Sequence, residues 1–187
     1  MRAIFRRQLT DYVEYHRDPN NCAMHVFGII FLFLAAVLPL SLWPVTLFGF
    51  QTNAAAFAVI PVLIYWILLD IALGVAIIGA AIVLLLAAAA IASYSSVAGV
   101  WIITTSLFVV GVAAQIIGHQ VFEGRRPSLV DNPPHLLLGP MFVMAKLFIA
   151  LGLRRDLAFI IEQESQSILD HQTSGRQKGQ GDIRQDS

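Results

Sequence analysis

Apolar residues dominate the middle of this chain, and no basic side chain interrupts them. From Asp18 through Gly124 there is no Lys or Arg, and Leu, Ile, Val, Ala and Phe fill most positions. All twelve basic residues lie in the two flanking segments. A run of this length is too apolar to be the core of a soluble domain of this size, so it predicts an integral membrane protein.

The apolar block divides into four segments that approach the roughly 20 residues needed to cross a bilayer. Asp70 and two uncharged polar stretches separate them. The predicted spans are Met24–Leu42, Ala54–Leu69, Ile71–Ala92 and Val97–Gly118. A fifth apolar stretch, His135–Leu153, is interrupted by Pro140 and Lys146, and we expect it to lie at the interface or to pack on the bundle.

The distribution of basic residues predicts the topology, because cytoplasmic segments of membrane proteins are enriched in Lys and Arg. Arginines precede the first predicted span and follow the fourth, whereas the loops at 43–53 and 93–96 carry no charge. We therefore predict an all-α fold, a polytopic membrane helical bundle with four transmembrane helices, both termini cytoplasmic and an interfacial C-terminal helix. Residues 1–171 would form one membrane-embedded domain, and residues 172–187 a disordered tail.

Composition narrows the possible chemistry. The chain is 57% hydrophobic and 13% charged, and its formal net charge of zero gives no bulk attraction to nucleic acid. Cys22 is the only cysteine, which excludes an internal disulfide and a multi-cysteine metal cluster. Acidic residues and a histidine precede the first apolar stretch, so we expect the N-terminal segment to be retained rather than cleaved as a signal peptide.

The predicted topology gathers polar residues on one side of the membrane. The first span begins at the cytoplasmic face, and the second and fourth end there. His25, Asp70 and His119 are therefore expected at one depth, with His16 just outside. The loops on the other side have no His, Asp, Glu, Lys or Arg. Any polar chemistry is expected at this cytoplasmic rim.

The first polar cluster surrounds His16 and His25. Because they are nine residues apart, one unbroken helix would point them in opposite directions. Pro19 disfavours helix at Asp18 and suits the first turn of a new helix, so a bend there can return His16 toward His25. Asn21 and His25 are four residues apart and share a face. A helix N-cap followed by an interfacial histidine would also explain this cluster.

The second polar cluster is a stripe at the end of the fourth predicted span. Gln115, His119 and Glu123 recur every four residues on an otherwise apolar helix end. Polar groups at such depth are costly and tend to face a partner or a site. Gly118 allows another helix or a ligand to approach closely. Alternatively, the stripe only forms hydrogen bonds with neighbouring helices.

Three imidazoles with nearby carboxylates on one rim indicate a metal centre. Neutral imidazole binds zinc, iron, copper and nickel, and two histidines with a carboxylate on an open face suit ferrous iron and oxygen chemistry. Asn21 and Gln115 are candidates for hydrogen bonds that orient the imidazoles. His135 could reach the same face, whereas His171 beside the tail is expected to be solvated.

The two clusters resemble the two signatures of the 2-hydroxy fatty acid dioxygenase family. Its members include a fungal endoplasmic-reticulum enzyme of phytosphingosine breakdown and many small bacterial membrane proteins. The residues that carry the resemblance are Tyr15-His16, Asn21, His25 and Gly28, then Gln115, Gly118-His119, Phe122-Glu123, Pro127 and Leu129. The resemblance covers residues 8–155. It implies an iron(II)-dependent α-oxidation, in which dioxygen converts a 2-hydroxy fatty acid to carbon dioxide and a fatty acid one carbon shorter.

The resemblance also implies residue roles. Iron(II) would be bound by His16, His25 and His119, and a carboxylate (Glu123 or Asp70) or water would complete its shell. Of these two acids, Glu123 matches an acid of the family's second signature.

Two positions depart from the family's pattern. Gly28 is followed by Ile29-Ile30 where the first signature often continues Gly-x-Pro, and Lys146 stands where many members have an acid. Substrate preference can therefore differ from that of other members.

The physical setting agrees with a lipid substrate, because a fatty acid partitions into a bilayer with its carboxylate at the interface. Arg17, Arg125 and Arg126 are at the right depth to hold that carboxylate. Anchoring of the cytoplasmic face would equally explain each of these arginines.

The leading hypothesis is an iron(II)-dependent 2-hydroxy fatty acid dioxygenase whose partners are the lipid bilayer, its substrate and dioxygen. A zinc-dependent membrane hydrolase could use the same histidines. The third hypothesis is a non-enzymatic lipid-binding or transport protein. Transport predicts polar groups near the bilayer midplane, whereas these spans are polar mainly at their ends, which counts against transport. The short loops favour a bacterial inner membrane, with the site on the cytoplasmic side.

Overall fold

The computed structural model describes residues 3–14, 18–124 and 135–159, together with Glu162 and Gln166. Within these residues the chain is mostly helical. The helices are α1 (Ala3–Glu14), α2 (Pro19–Leu40), α3 (Ala54–Leu69), α4 (Ile71–Tyr94), α5 (Val97–Ile117) and α6 (His135–Ala150). A π-helical segment, Gly118–Glu123, continues α5, and the strands β1 (Pro44–Leu47) and β2 (Phe50–Asn53) connect α2 to α3. The predicted tail at 172–187 lies outside the described residues.

Three stretches of the described residues are long and apolar enough to cross a membrane, namely α2, α4 and Val97–Phe122. The helix α3 and the stretch Leu137–Ala150 are apolar but shorter. Most residues of the long stretches are not buried by the rest of the chain, and Ile82 and Val83, for example, are exposed. Lipid solvates such a surface and water does not, which agrees with a membrane protein. The predicted bounds of Ala54–Leu69 are confirmed, while the count of four spans and their orientation stay predictions.

Polar residues between the apolar stretches form the N-caps of the helices. The Asp18 carboxylate accepts hydrogen bonds from the backbone N–H groups of Asn20 and Asn21 at 2.7 and 3.3 Å, which caps α2. Asn53 and Ser96 cap α3 and α5 through side-chain oxygens. Unpaired N–H groups at a helix start are costly in apolar surroundings, so these caps set the helix boundaries.

The break between α2 and α3 is a β-hairpin, where the sequence pattern predicted only a polar and aromatic break. Leu47 pairs with Phe50, which leaves a two-residue turn at Phe48 and Gly49. Both turn residues have positive φ angles, 50° and 83°, as a type I′ turn requires. Phe48 and Phe50 are exposed, and aromatic side chains at the end of a membrane bundle suit the interface with water.

Two apolar clusters hold the bundle together. The cluster at the hairpin end is formed by Val37, Leu38, Ala55, Val59, Ala88 and Val100. At the opposite end, α1 and α6 pack against α3 and α4. There the rings of Tyr12 and Phe142 lie 4.9 Å apart, and the Trp66 indole N–H donates to the carbonyl oxygen of Leu137 at 2.7 Å. The fifth apolar stretch therefore packs on the bundle.

A forked ion pair holds the turn between α3 and α4 against the segment that follows α6. Both guanidinium Nη atoms of Arg154 bond the Asp70 carboxylate at 3.0 to 3.2 Å, and Arg154 also holds Asp156 through two bonds of 2.8 Å. Asp70 in addition accepts from the Leu73 N–H and so caps α4. Burial opposes ionisation of Asp70, but the bonds from Arg154 and Leu73 outweigh it and hold the pKa of Asp70 below its ordinary value.

Gly74→Ala is expected to destabilise the protein, because a Cβ at this position would lie 2.8 Å from the backbone N and Cα of Ile67. The helices α3 and α4 would have to separate, at a cost of about 1–3 kcal/mol in the free energy of unfolding. Gly79→Ala is the matched control on α4, since no atom lies within 4 Å of a Cβ there. We expect the control to stabilise by about 0.5–1 kcal/mol. Thermal unfolding in detergent micelles measures both, and equal effects would contradict the close approach of α3 and α4.

Asp70→Asn removes the charge that pairs with Arg154 but keeps a side chain able to cap α4. Because the pKa of Asp70 is lowered by folding, the ion pair stabilises the fold above the ordinary value of about 3.9 and is lost as the pH falls through the lower folded value. We expect the variant to be less stable by about 2 kcal/mol at neutral pH, with the difference shrinking below about pH 4.

Asp156→Asn is the control for this experiment, because Asp156 binds the same guanidinium but is half exposed. Its replacement should cost less than about 1 kcal/mol. Unfolding in detergent micelles across a pH series measures both variants. A deficit of Asp70→Asn that stays constant into the acid range would show that the ion pair is not its cause.

Candidate metal centre

Two of the three predicted metal histidines meet between α2 and the π-helical segment. The Nε2 atoms of His25 and His119 lie 3.0 Å apart, although 94 positions separate the residues in the chain. Their rings are nearly perpendicular, with centroids 4.7 Å apart. His25 is 8% exposed and His119 only 2%. The structure thus presents two ring nitrogens at one buried point.

Small residues on both sides of the histidines let α2 and α5 come this close. A Cβ at Gly111 would lie 2.9 Å from Cγ of Leu32 and 3.3 Å from the carbonyl oxygen of Gly28. A Cβ at Gly118 would overlap the Asn21 side chain. The two helices therefore run in close antiparallel contact, with Gly28 and Gly111 on one side of the histidine pair and Asn21 and Gly118 on the other.

The backbone at His119 is π-helical, which the regular four-residue spacing of the stripe did not predict. The segment Gly118–Glu123 continues α5 and ends at Gly124, whose φ is 63° and whose N–H bonds the carbonyl of His119. Wider helical turns of this kind are rare and are frequent at functional sites. Since this segment is not an α-helix, a separation of four residues does not by itself align His119 with Glu123. The side chain of Glu123 lies outside the described residues.

Asn21 and Gln115, the two predicted orienting residues, both lie at this contact. Gln115 donates a long hydrogen bond of 3.5 Å to the backbone carbonyl of His25, so it holds the helix turn that carries the imidazole. Asn21 is fully buried against Gly118. A direct role for either residue in orienting a ring stays a prediction.

The spacing of the two imidazoles allows either a hydrogen bond or a shared ion. Without a metal, a distance of 3.0 Å suits one N–H donating to the other ring nitrogen, with only one of the two Nε2 atoms protonated. Metal–imidazole bonds of about 2.1 Å at right angles place two ligand nitrogens about 3.0 Å apart, and a tetrahedral angle gives about 3.4 Å. The distance between the two nitrogens is therefore compatible with two ligands of one metal ion.

The remaining candidate ligands divide into one that the structure describes and several that it does not. Within the described residues, no group of three His, Cys, Asp or Glu side chains could hold a metal, so Asp70 does not join His25 and His119. Its carboxylate is held by Arg154 instead. The other candidate ligands, His16, Glu123 and His135, lie outside the described residues or have side chains that do. The same is true of His171, which was expected to be solvated, and of Arg17, Arg125 and Arg126, which were predicted to bind the substrate carboxylate.

Two side-chain contacts in the described part of the chain were not predicted from the sequence. The bond between Arg154 and Asp70 joins residues 84 positions apart, and the contact of Lys146 with Cys22 joins residues 124 apart. No local pattern predicts either pairing. Arg154 was predicted only as one of the basic residues on the cytoplasmic side, and Asp70 was predicted as a polar group at the rim and as a candidate carboxylate ligand.

Comparison with known proteins agrees with the two histidine signatures. A family model described as 2-hydroxy-palmitic acid dioxygenase Mpo1-like matches residues 3–151. The 2-hydroxy-palmitic acid dioxygenase MPO1 of Saccharomyces cerevisiae is 31% identical over 161 residues, which cover 85% of this chain and 88% of the yeast protein. No solved structure matches the chain. The predicted resemblance is confirmed, and this chain belongs to the Mpo1-like family.

Proposed function

We propose that this protein is an iron(II)-dependent dioxygenase that shortens 2-hydroxy fatty acids by one carbon. The observation that carries the proposal is the buried pair of Nε2 atoms, 3.0 Å apart, in a bundle with an apolar outer surface. Membership of the family and the activity for which the yeast relative is named support the same reaction. The reaction balances as one 2-hydroxy fatty acid and one dioxygen giving carbon dioxide, water and a fatty acid one carbon shorter.

His25 and His119 would hold the iron, with His16 as the third histidine and Glu123 or water as a further ligand. Two histidines and an oxygen ligand on an open face form the donor set associated with ferrous oxygenases. When bound, the iron would activate dioxygen for reaction with the organic substrate. Asp70 is the weaker candidate for the carboxylate, because Arg154 occupies both of its oxygens.

The protein's own contribution is to orient the imidazoles and to exclude water. The close contact of α2 with α5 leaves His119 almost fully buried. Gln115 donates a long hydrogen bond of 3.5 Å to the backbone carbonyl of His25, so it supports the helix turn that carries this imidazole.

The setting of the site follows from the charge distribution. We place it on the cytoplasmic side, in a bundle of four spans with both termini cytoplasmic, because the flanking segments hold all the basic residues. The short loops favour a bacterial inner membrane as its location. A membrane-dissolved fatty acid would then present its carboxylate at the depth where the histidines lie. Arg17 and Arg125 stay candidates for steering that carboxylate to the rim.

His25→Ala and His119→Ala are each expected to lose bound iron and to lower dioxygen uptake with 2-hydroxypalmitate by at least about 100-fold. His171→Ala is the control, since it removes an imidazole that is expected to be solvated. Elemental analysis of the purified protein and an oxygen electrode provide the two measurements. Chelation should abolish uptake in the unaltered protein, and added iron(II) should restore it.

The same measurements distinguish the dioxygenase from the zinc-dependent hydrolase hypothesis. A zinc hydrolase would carry stoichiometric zinc and turn over without dioxygen. Full oxygen uptake by metal-free protein, or by the His119→Ala variant, would end the proposal.

A further inference from the structure

An apolar cavity lies between α2, α4 and α6, and one of its lining residues, Val26, follows His25 in the sequence. Its volume is about 160 Å³. Its walls include Val26, Ile29, Phe33, Ile77, Val143 and Met144. No charged side chain lines it. A cavity of this composition accepts a hydrocarbon chain and offers nothing to a polar molecule.

Lys146 places a positive charge beyond one end of this cavity. Its Nζ lies 3.1 Å from Sγ of Cys22 and 4.9 Å from the centre of the Phe142 ring. On α6 it follows the cavity residue Val143 by three positions, and on α2 Cys22 precedes the cavity residue Val26 by four. Along the axis of α2, the Lys146 ammonium is therefore about one helical turn, or about 6 Å, from Val26.

The contacts of the half-buried Lys146 ammonium with the described residues do not include a carboxylate. In the part of the chain that the structure describes, its partners are a thiol, which is a weak acceptor, and the face of an aromatic ring. Each of them is weaker than a charge-assisted hydrogen bond to a carboxylate. The site is thus complementary to a molecule with an apolar chain and one anionic end.

The position of Cys22 connects the cavity to the histidines. On a helix with 3.6 residues per turn, Cys22 points about 60° from His25 and about 40° from Val26. Cys22 therefore lies between the face of α2 that carries the imidazole and the face that lines the cavity. A carboxylate held at Lys146 would have its neighbouring carbons at the turn of α2 that carries His25.

We propose that the cavity binds the alkyl chain of the fatty acid and that Lys146 binds its carboxylate. This inference rests on the proposed function for the identity of the ligand. Lys146 would thus recognise the carboxylate of the substrate. The arginines near the rim were predicted to do this. The alternative occupant, an acyl chain of a bilayer phospholipid, would not depend on a charge at this end of the cavity.

Binding can be tested without turnover by displacing a nitroxide-labelled stearic acid from purified protein in a non-ionic detergent. The competitors are 2-hydroxypalmitate and 1,2-hexadecanediol, which have the same chain length but differ in the carboxylate. We expect the acid to displace the probe at about tenfold lower concentration than the diol, as a charge-assisted bond predicts. Lys146→Met should abolish this preference, and Lys146→Arg should retain it.

Lys178→Met is the matched control, because it removes the same charge from the only other lysine of the chain. Met144→Trp tests the cavity itself and should weaken the binding of both competitors by a similar factor. Size-exclusion chromatography and thermal unfolding show whether each variant is folded. The proposal would be overturned if the Lys146→Met variant still bound the acid more tightly than the diol. It would also be overturned if a folded Met144→Trp variant bound the probe as well as the unaltered protein does.

Kinetics distinguish a failure of this inference from a failure of the proposed function. Lys146→Met should raise the KM for 2-hydroxypalmitate about tenfold, with iron content unchanged and kcat within about twofold. If the unaltered protein consumes oxygen but the KM of the variant is unchanged, the carboxylate site is wrong and the dioxygenase stands. If the unaltered protein consumes none, the displacement experiment still tests the binding site.

Discussion

The fold and the candidate centre both depend on the close antiparallel contact between α2 and α5. Without a hydrophobic driving force between helices in lipid, such contacts rely on small residues that let backbones approach. Gly28, Gly111 and Gly118 provide this along one seam, and the two histidines meet between them. Larger side chains here would separate the helices, and a separation of even one ångström would remove the contact between the two Nε2 atoms.

The second constraint is that polar groups in an apolar bundle must find partners inside it. Asp70 meets Arg154, the Trp66 indole meets the carbonyl of Leu137, and the helix starts are capped by side chains. Several other polar groups of the described residues gather at one end of the bundle. His25, His119 and Lys146 all belong to that end, and this grouping is why the proposals concerning iron, alkyl chain and carboxylate converge on one region.

Much of the fold could be predicted because hydrophobicity is a property of sequence segments. The bounds of Ala54–Leu69 were predicted to the residue, and the break at Pro19 separates α1 from α2 as expected. The convergence of His25 and His119 was also predicted, since counting spans places their helix ends at one face. The β-hairpin at 44–53 and the π-helical segment were not predicted. A four-residue strand and one widened turn are too short to leave a periodic signal.

The sequence by itself determined the class of the protein, its helical segments and the end of the bundle at which its polar residues gather. Those properties follow from the local pattern of apolar side chains and from the positions of charges. Only the tertiary structure decided the partners within that end, where Asp70 binds Arg154 rather than joining the histidines, and where Lys146 reaches Cys22 beside an apolar cavity. Such pairings depend on the rotation and separation of packed helices, which no single segment of the chain specifies.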